Sequence, residues 1–312
     1  MALQFDSSVD HYRRILGVLF YVGPIEGLLE RTMRGGLIVV PSAPVMVNLS
    51  ADPTHRQAVE TSDLAVTDSG FMVLLWRLFA RDKIIRISGL RYLRALLDDP
   101  RFRDSRSILW IMPTKRDEIG NRAWLIEQGM TVEESDCYLA PTYAREGPLE
   151  DAALLALIKE KRPQFVMINL GGGVQERLGL FLRDALAQEG KGQSGKGEGE
   201  RAKREEQSGK SEGVSNEAQG KVPGGKSKES EPLALSTSPL AAPAYRPALI
   251  CTGAAIAFLS NRQVNIPPWA DRLFLGWLMR SLSEPTKFIP RYWQSLRLAR
   301  LMWRYGSRSV AS

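Results

Sequence analysis

Short apolar runs alternate with longer amphipathic stretches along most of the chain. The runs are largely apolar on both faces, which is typical of buried strands in a parallel sheet. They are Leu37–Val40, Leu64–Thr67, Ile84–Ile87, Ile108–Met112, Phe165–Leu170 and Ala248–Cys251, and a weaker strand begins at Thr131 and Val132.

Helical periodicity separates these predicted strands. It covers residues 10–34, 52–60, 71–80, 90–97, 116–128, 149–161 and 178–186. Because strands alternate with helices, the pattern predicts an α/β fold, namely a mostly parallel, doubly wound, Rossmann-like sheet with helices on both faces.

Residues 189–232 differ in composition, being nearly all Gly, Ser, Lys, Glu and Gln, with nine basic and nine acidic side chains. Such a segment buries too little apolar surface to offset the entropy of ordering, so it predicts a disordered insertion. Balanced charge and the lack of aromatic residues argue against nucleic-acid binding. The expected organisation is an α/β core at 1–188, an insertion at 189–240, the return of the core at 241–265 and an appendage at 266–312.

The net charge of +7 is concentrated at the carboxyl end. From Asp271 onward there are eight basic and two acidic side chains, and four of the seven Trp lie in the same appendage. Arg297, Arg300, Arg304 and Arg308 share one arc of a helical wheel. Arg and Trp on an amphipathic helix favour a basic helical appendage that binds an anionic membrane surface. The alternative is a helix packed on the domain with a solvated Arg face.

The cysteines and histidines limit the available chemistry. Cys137 and Cys251 are far apart in sequence and argue against a disulfide framework, which suits a reducing cytoplasm. His11 and His55 are the only histidines, so a His-based zinc site or a Ser-His-Asp triad has little material. No run reaches the roughly 20 apolar residues of a membrane span, and no signal-peptide apolar region is evident at the start.

Three glycines, Gly171 to Gly173, follow the predicted strand at Phe165–Leu170 and precede an apolar-periodic helix. Glycines permit a tight turn and the close approach of a ligand, and free N–H groups at a helix start favour a phosphate or carboxylate. Gln175 and Glu176 begin that helix. The alternative is a tight strand–helix turn with Gln and Glu on the surface, since GGG matches neither G-x-G-x-x-G nor a Walker loop.

Several short motifs follow one another in a fixed order. They are Asp68-Ser69-Gly70, Gly89 at a predicted strand end, Gly171–Glu176 (GGGVQE), Thr252-Gly253-Ala254-Ala255, and Pro267, Trp269, Trp277, Arg280 and Pro285 in the appendage. In order and spacing they resemble the WecG/TagA/CpsF family of bacterial glycosyltransferases, over about Leu16 to Tyr292 without the insertion.

The chain also departs from that family's pattern. Pro41-Ser42-Ala43 stands where Thr-Pro-Asn is expected, which leaves Ser42 as the only nearby hydroxyl. Arg91 replaces the Asp of a Gly-x-Asp-Leu element and reverses the charge beside the expected sugar site. Met112-Pro113 replaces a pair of glycines.

The resemblance implies transfer of an N-acetylhexosamine-type sugar, with N-acetylmannosamine or its uronic acid expected. The donor is a UDP-sugar, and the acceptor is polyprenyl-diphosphate-linked, at the inner face of the cell membrane. Inverting transfer needs a carboxylate base, and Asp68 at a strand's carboxyl end is the expected one. The alternative role is a helix N-cap, which Asp68 or Ser69 would serve. No cofactor and no metal are expected, since the chain has no D-x-D motif.

The resemblance also assigns substrate contacts. The expected substrate-binding residues are Ser42, Gly70, Gly89, Arg91, Gly171, Gly172, Gly173, Gln175, Glu176, Gly253 and Arg280. Gln175 and the glycine amides would hold the sugar or diphosphate. Arg280 would neutralise leaving-group charge or, alternatively, contact membrane phospholipid. A second copy of the chain is a further candidate partner.

Two other functions compete with an active transferase. One is a non-catalytic relative that binds a nucleotide sugar or a lipid head group within a polysaccharide-synthesis complex, which Arg91 and the missing Thr and Asn favour. The other is a Rossmann-type oxidoreductase. An oxidoreductase predicts G-x-G-x-x-G after the first strand of the parallel sheet, whereas the strand at Leu37–Val40 ends in Pro-Ser-Ala-Pro, which counts against it.

Overall fold

The computed structural model describes residues 11–188, 245–253, 255–260 and 296–310. These residues belong almost entirely to one compact unit, made of residues 1–186 and 246–312. The predicted insertion at 189–240 and the predicted boundaries at 241 and 266 lie outside the described residues.

The described part of the chain forms one eight-stranded sheet. Its strands are β1 Tyr12–Ile15, β2 Val18–Tyr21, β3 Gly36–Val39, β4 Leu64–Val66, β5 Ile108–Met112, β6 Cys137–Leu139, β7 Phe165–Ile168 and β8 Ala248–Cys251. Their order across the sheet is β1-β2-β4-β3-β8-β7-β5-β6, and every neighbouring pair is parallel except the β1–β2 hairpin. The predicted α/β class and mostly parallel sheet are confirmed.

Helices cover both faces of the sheet. They are α1 Ile25–Thr32, α2 Ala43–Asn48, α3 Pro53–Glu60, α4 Gly70–Phe79, α5 Gly89–Asp98, α6 Pro100–Arg103, α7 Lys115–Glu127, α8 Ala152–Lys161, α9 at 174–188, α10 Ala255–Leu259 and α11 at 296–305. Ile38 and Ile250 belong to a buried cluster with α1, α5 and α10. Their neighbours Leu37 and Cys251 point to the opposite face, where Gly179 of α9 packs so closely that a Cβ would overlap Leu37 Cδ1.

The amino-terminal segment corrects one prediction. The helix expected over residues 10–34 is wrong, because residues 12–21 form β1 and β2 and only α1 is helical. A two-residue turn, Leu16–Gly17, joins the strands, and both residues have positive φ, 51° and 85°. This is the backbone geometry of a type I′ hairpin. Half of the side chains in the two strands are buried, and apolar residues follow one another directly in β2, so the apolar positions do not alternate and resemble those of a helix.

The strand predicted at Ile84–Ile87 is also wrong. These residues form no strand in the described structure, because β2 already occupies the outer edge of β4. The side chain of Thr67 holds them instead. Its hydroxyl donates to the Ile85 carbonyl (2.8 Å) and accepts from the Ile87 N–H (3.2 Å).

Two further boundaries differ from the sequence pattern. The strand expected at Thr131 and Val132 begins at Cys137, after a short 3-10 turn. The Pro-Ser-Ala-Pro segment that follows β3 becomes helical already at Ala43, with Ser42 at the N-cap position and Pro44 in the first turn of α2. Proline is favoured in the first turn because the N–H that it lacks would have no acceptor within the helix.

The described part of the carboxyl-terminal appendage is α11 and the turn at 306–310. Leu298 and Met302 are buried, whereas the four arginines that share one arc are exposed. The N–H of Leu16 donates to the carbonyl of Gly306 (2.9 Å), so this end of the chain is attached at the β1–β2 turn. The rest of the appendage lies outside the described residues.

Candidate functional site

Four predicted site segments converge at the carboxyl edge of the sheet. Ser42, Asp68, Gly171 and Gly253 follow the ends of β3, β4, β7 and β8, respectively. These strands are neighbours in the order β4-β3-β8-β7 and run parallel, so their carboxyl ends lie side by side. In open α/β sheets, ligands bind outside this edge.

Asp68 is half-buried and fixed in place by two hydrogen bonds. Its Oδ1 accepts from the backbone N–H of Gly89 (2.8 Å), and its carbonyl accepts from Arg86 Nε (2.9 Å). The N-cap of α4 is Ser69 and not Asp68, because the Ser69 hydroxyl accepts from the Met72 N–H (3.1 Å). Within the described residues, Asp68 Oδ2 has no hydrogen-bond partner, so one carboxylate oxygen is available at the edge of the sheet.

Gly89 begins α5 beside Asp68. A Cβ at this position would lie 3.0 Å from Val40 Cγ1, which is a tight contact, and 3.6 Å from Asp68 Oδ1, which is an ordinary one, so a larger residue would press on Val40. Arg91 lies in the first turn of α5, where its N–H donates to Ser88 Oγ (3.2 Å) and its side chain is exposed. An exposed guanidinium therefore stands two residues beyond the Asp68–Gly89 hydrogen bond.

The glycine loop joins β7 to α9. Gly173 has a φ of 92°, a conformation that favours glycine. A Cβ at Gly172 would lie 2.5 Å from Val45 Cγ2, so the loop packs tightly on α2. Gly171 and Gly172 are exposed, and their N–H groups have no hydrogen-bond partner in the part of the chain that the structure describes. Two such donors at a helix N-terminus are an arrangement that favours anions.

Gln175 and Glu176 are buried, so their alternative placement on the surface is wrong. Glu176 Oε2 accepts from the Gly173 N–H (2.6 Å), as in a capping box, and Oε1 accepts from Gln175 Nε2 (3.1 Å). Gln175 Oε1 accepts from the Gly253 N–H (2.8 Å). These bonds tie the loop after β7 to the loop after β8. Direct contact between Gln175 and a substrate stays a prediction.

Arg177, which no motif in the sequence indicated, also fixes the glycine loop. Its buried guanidinium donates to the carbonyls of Gly173 (2.9 Å), Gly147 (2.6 Å) and Ala144 (2.7 Å). Its Nε lies 3.7 Å from Asp52 Oδ2. Arg177 therefore joins the glycine loop to the loop that follows β6. The only signal in the sequence is its position directly after Gln175 and Glu176.

A buried polar pair, also missed, links the strand ends beneath the site. Asn169 Nδ2 donates to the carbonyls of Ile111 (3.3 Å) and Met167 (3.2 Å). The Thr252 hydroxyl donates to Asn169 Oδ1 (3.4 Å). The signal in the sequence is an amide side chain within the otherwise apolar run Phe165–Leu170, directly after β7.

The remaining predicted residues have fewer contacts. Ser42 is half-buried at the N-cap of α2, and its side chain makes no capping hydrogen bond. Gly70 is the first residue of α4, directly after the Ser69 cap. Arg280 lies outside the described residues.

Two further findings concern the described ranges alone. No three His, Cys, Asp or Glu side chains cluster there in a way that could hold a metal ion. No helix in the same ranges is long and apolar enough to cross a bilayer. The groups that the site presents are the Asp68 carboxylate, the Ser42 hydroxyl and the glycine N–H donors.

A doubly wound sheet with one oriented carboxylate and open N–H donors at its carboxyl edge defines an α/β protein with a candidate anion-binding site at the strand ends. The chain belongs to the glycosyl transferase WecG/TagA/CpsF family, whose model matches residues 13–191 and 241–311. The activity of this family is glycosyl transfer in polysaccharide synthesis, from a sugar donor to an acceptor. No curated protein matches the chain significantly.

Proposed function

We propose that the chain is an inverting glycosyltransferase of bacterial surface-polysaccharide synthesis. It moves an N-acetylhexosamine-type sugar, N-acetylmannosamine or its uronic acid, from a UDP-sugar to a polyprenyl-diphosphate-linked acceptor. The observation that carries the proposal is Asp68, whose Oδ1 is held by the Gly89 N–H while Oδ2 has no partner among the described residues. A general base needs a carboxylate in one orientation with an open oxygen.

In the proposed reaction, Asp68 Oδ2 takes the proton of the acceptor hydroxyl as that oxygen attacks C1 of the donor sugar. The bond from C1 to the diphosphate oxygen breaks on the opposite side, and UDP leaves with the electron pair. Attack opposite to the leaving group inverts the configuration at C1. The N–H groups of Gly171 and Gly172, with the N-terminal dipole of α9, stabilise the charge that develops on the diphosphate.

Gln175 and Glu176 act in this proposal by holding the loop rather than through free side chains. Their hydrogen bonds to Gly173 and Gly253 fix the direction of the neighbouring N–H groups before a ligand binds. Groups that need no reorganisation during the reaction stabilise a transition state most effectively. Arg280 keeps its proposed role of neutralising charge on the leaving diphosphate.

The acceptor is a membrane lipid in this proposal, so we place the enzyme peripherally, on the inner face of the cell membrane. The exposed arginines of α11 supply basic surface for anionic lipid. The proposed reaction uses protein groups alone. A homo-oligomer stays a prediction.

A transfer assay tests the proposal. It pairs UDP-N-acetylhexosamines and UDP-uronic acids with a short-chain polyprenyl-diphosphate sugar, for the wild type and Asp68→Asn. We expect transfer by the wild type and about a hundredfold or greater loss of kcat in the variant, because the amide cannot accept the proton. Asp98→Asn, an exposed position on α5, is the matched control and should keep wild-type activity. Transfer that survives Asp68→Asn would remove Asp68 as the base.

The second candidate is a non-catalytic relative that binds a nucleotide sugar or a lipid head group. Arg91 favours it, because an exposed guanidinium beside the Asp68–Gly89 pair adds an anion-binding group where the family has a carboxylate. Isothermal titration with UDP-sugars distinguishes the two candidates. Binding by the wild type without transfer from any donor would support the second candidate and refute the first.

A further inference from the structure

An exposed apolar surface lies next to Asp68, on α4 and the segment that follows it. We call residues 74–86 the α4 surface. Its exposed large apolar side chains are Leu74, Leu78, Phe79 and Ile85. Leu78 is 68% exposed, although it lies on a helix whose opposite side is fully packed. Leu74 and Leu78 lie one turn apart on α4, and a group of exposed apolar side chains is typical of a surface that binds a partner.

Unpaired cations accompany these apolar side chains. Arg77, Arg81 and Lys83 are exposed, and none has a carboxylate partner within the described residues. Asp82 is the only acidic residue between Gly70 and Gly89. It is already ion-paired with Arg13 (2.7 Å) and accepts a hydrogen bond from Trp76 Nε1 (3.1 Å), so its charge is not available to these three cations.

We propose that the α4 surface binds the anionic headgroup region of a lipid bilayer. The leucine and phenylalanine side chains enter the interface, and the three cations contact headgroup phosphates. The charge disfavours a second copy of the chain as the occupant. A two-fold contact would place the same unpaired cations against each other without a compensating acid.

The segment that carries the α4 surface begins and ends beside Asp68. The segment leaves the site at Gly70, directly after Asp68 and its neighbouring cap, and returns to it at Arg86, which donates to the Asp68 carbonyl. Helix α4 has ten residues and spans about 15 Å. A lipid bound at this surface therefore lies close enough to bring a lipid-linked acceptor to the Asp68 carboxylate. This step rests on the proposed function, whereas the lipid contact itself does not.

Strand β1 connects the α4 surface with the exposed face of α11. Arg13, near the start of β1, donates from Nε to Asp82 Oδ2 (2.7 Å), and Leu16, just after its end, is bonded to Gly306. The two positions are about 10 Å apart along an extended strand. Helix α11 exposes Trp303 to 77% beside its arginines. A second basic and apolar surface therefore lies at the other end of β1.

Vesicle sedimentation of the full chain tests the inference, with phosphatidylglycerol–phosphatidylcholine vesicles and with neutral phosphatidylcholine vesicles, and without donor or acceptor. We expect Arg77→Ala/Lys83→Ala to lower partitioning onto the anionic vesicles roughly twentyfold or more, because each cation near such a surface contributes about fivefold. Leu74→Ser/Leu78→Ser should lower it at least about tenfold through the lost apolar contact.

Helix α7 supplies matched controls on another part of the surface. Ile119 and Ile126 are 53% and 50% exposed, so Ile119→Ser/Ile126→Ser changes comparable side chains. Arg94→Ala/Arg116→Ala removes two exposed cations from α5 and α7. Both control variants should partition like the wild type. All four variants change exposed positions, and circular dichroism melts should show that each is folded.

A fluorescent label locates the contact independently. The emission of bimane attached at Leu78→Cys should shift to shorter wavelength when anionic vesicles are added, and the emission of bimane at Ile119→Cys should not. The signal of bimane attached to the native cysteines is measured on the unsubstituted chain and subtracted. Equal responses at the two positions, or equal losses in the α4 and control variants, would overturn the inference. Self-association that Leu74→Ser/Leu78→Ser abolishes in analytical ultracentrifugation, with vesicle binding unchanged, would assign the surface to a second copy instead. A failed transfer assay would leave all of these results unaffected.

Discussion

Replacing Arg177 with Met removes a buried charge while keeping most of the side chain's volume. Three carbonyls, those of Ala144, Gly147 and Gly173, lose a charged donor at 2.6–2.9 Å, and Asp52 loses its nearby cation. Removing one partner of a buried charge pair costs about 3–5 kcal/mol of unfolding free energy. Since folded domains are stable by roughly 5–15 kcal/mol, the variant should fold but with a large part of that stability lost.

Urea unfolding, followed by circular dichroism at constant pH, measures this loss. Arg183→Met, six residues further along α9, is the matched control, because the Arg183 side chain is 21% exposed, its ion pair is with the half-exposed Asp184, and its hydrogen bonds to Thr61 are exposed to solvent. It should lose about 1 kcal/mol or less. A loss below 1 kcal/mol for Arg177→Met, or equal losses in the two variants, would refute the view that Arg177 holds the glycine loop to its neighbour.

Two other predictions concern packing and acid sensitivity. Gly179→Ala should destabilise the fold by about 1–3 kcal/mol in a thermal melt, because its methyl group would overlap Leu37 Cδ1. Gly171→Ala, which meets no atom within 4 Å, should melt like the wild type, and a reversed order would contradict the packing of α9. The hydrogen bond from Trp76 lowers the pKa of Asp82 below its ordinary value. Ionised Asp82 therefore stabilises the folded state above about pH 4, and this contribution is lost as the pH falls through the folded-state pKa. Asp82→Asn should therefore lose stability less steeply than the wild type in urea titrations between about pH 4 and 2, and equal slopes would contradict this.

The buried strands of the sheet were the most predictable part of the fold. β3, β5 and β8 lie where continuous apolar runs place them, because strands covered on both faces need apolar side chains at every position. Residues 84–87 have a similar, largely apolar pattern but form no strand, because β2 already pairs with the edge of β4 that they would need. Strand pairing is decided by distant residues, and a local pattern does not contain it.

The site was predictable to a similar extent. Residues that follow strand ends, such as Asp68 and Gly171, can be placed at one edge because parallel strands end together. The orientation of Gln175 could not be inferred, because its acceptor oxygen is satisfied by an N–H 78 residues away, that of Gly253. Two of the hydrogen-bond partners of Arg177, the carbonyls of Gly147 and Ala144, are likewise at least 30 residues away. Every residue has a backbone carbonyl, so the sequence does not indicate which ones accept these bonds.

The order of the strands has a consequence for how the sheet is completed during synthesis. Among the described residues, β8 is the last strand in sequence order, yet it lies between β3 and β7 and joins the half-sheet β1-β2-β4-β3 to the half-sheet β7-β5-β6. About 80 residues separate β7 from β8, and ribosomes add roughly 5–20 residues per second, so both half-sheets expose an unpaired inner edge for about 4–16 seconds. Open strand edges pair readily with other chains. The nascent protein is therefore most prone to misassociation in this interval, and its central strand closes the sheet last.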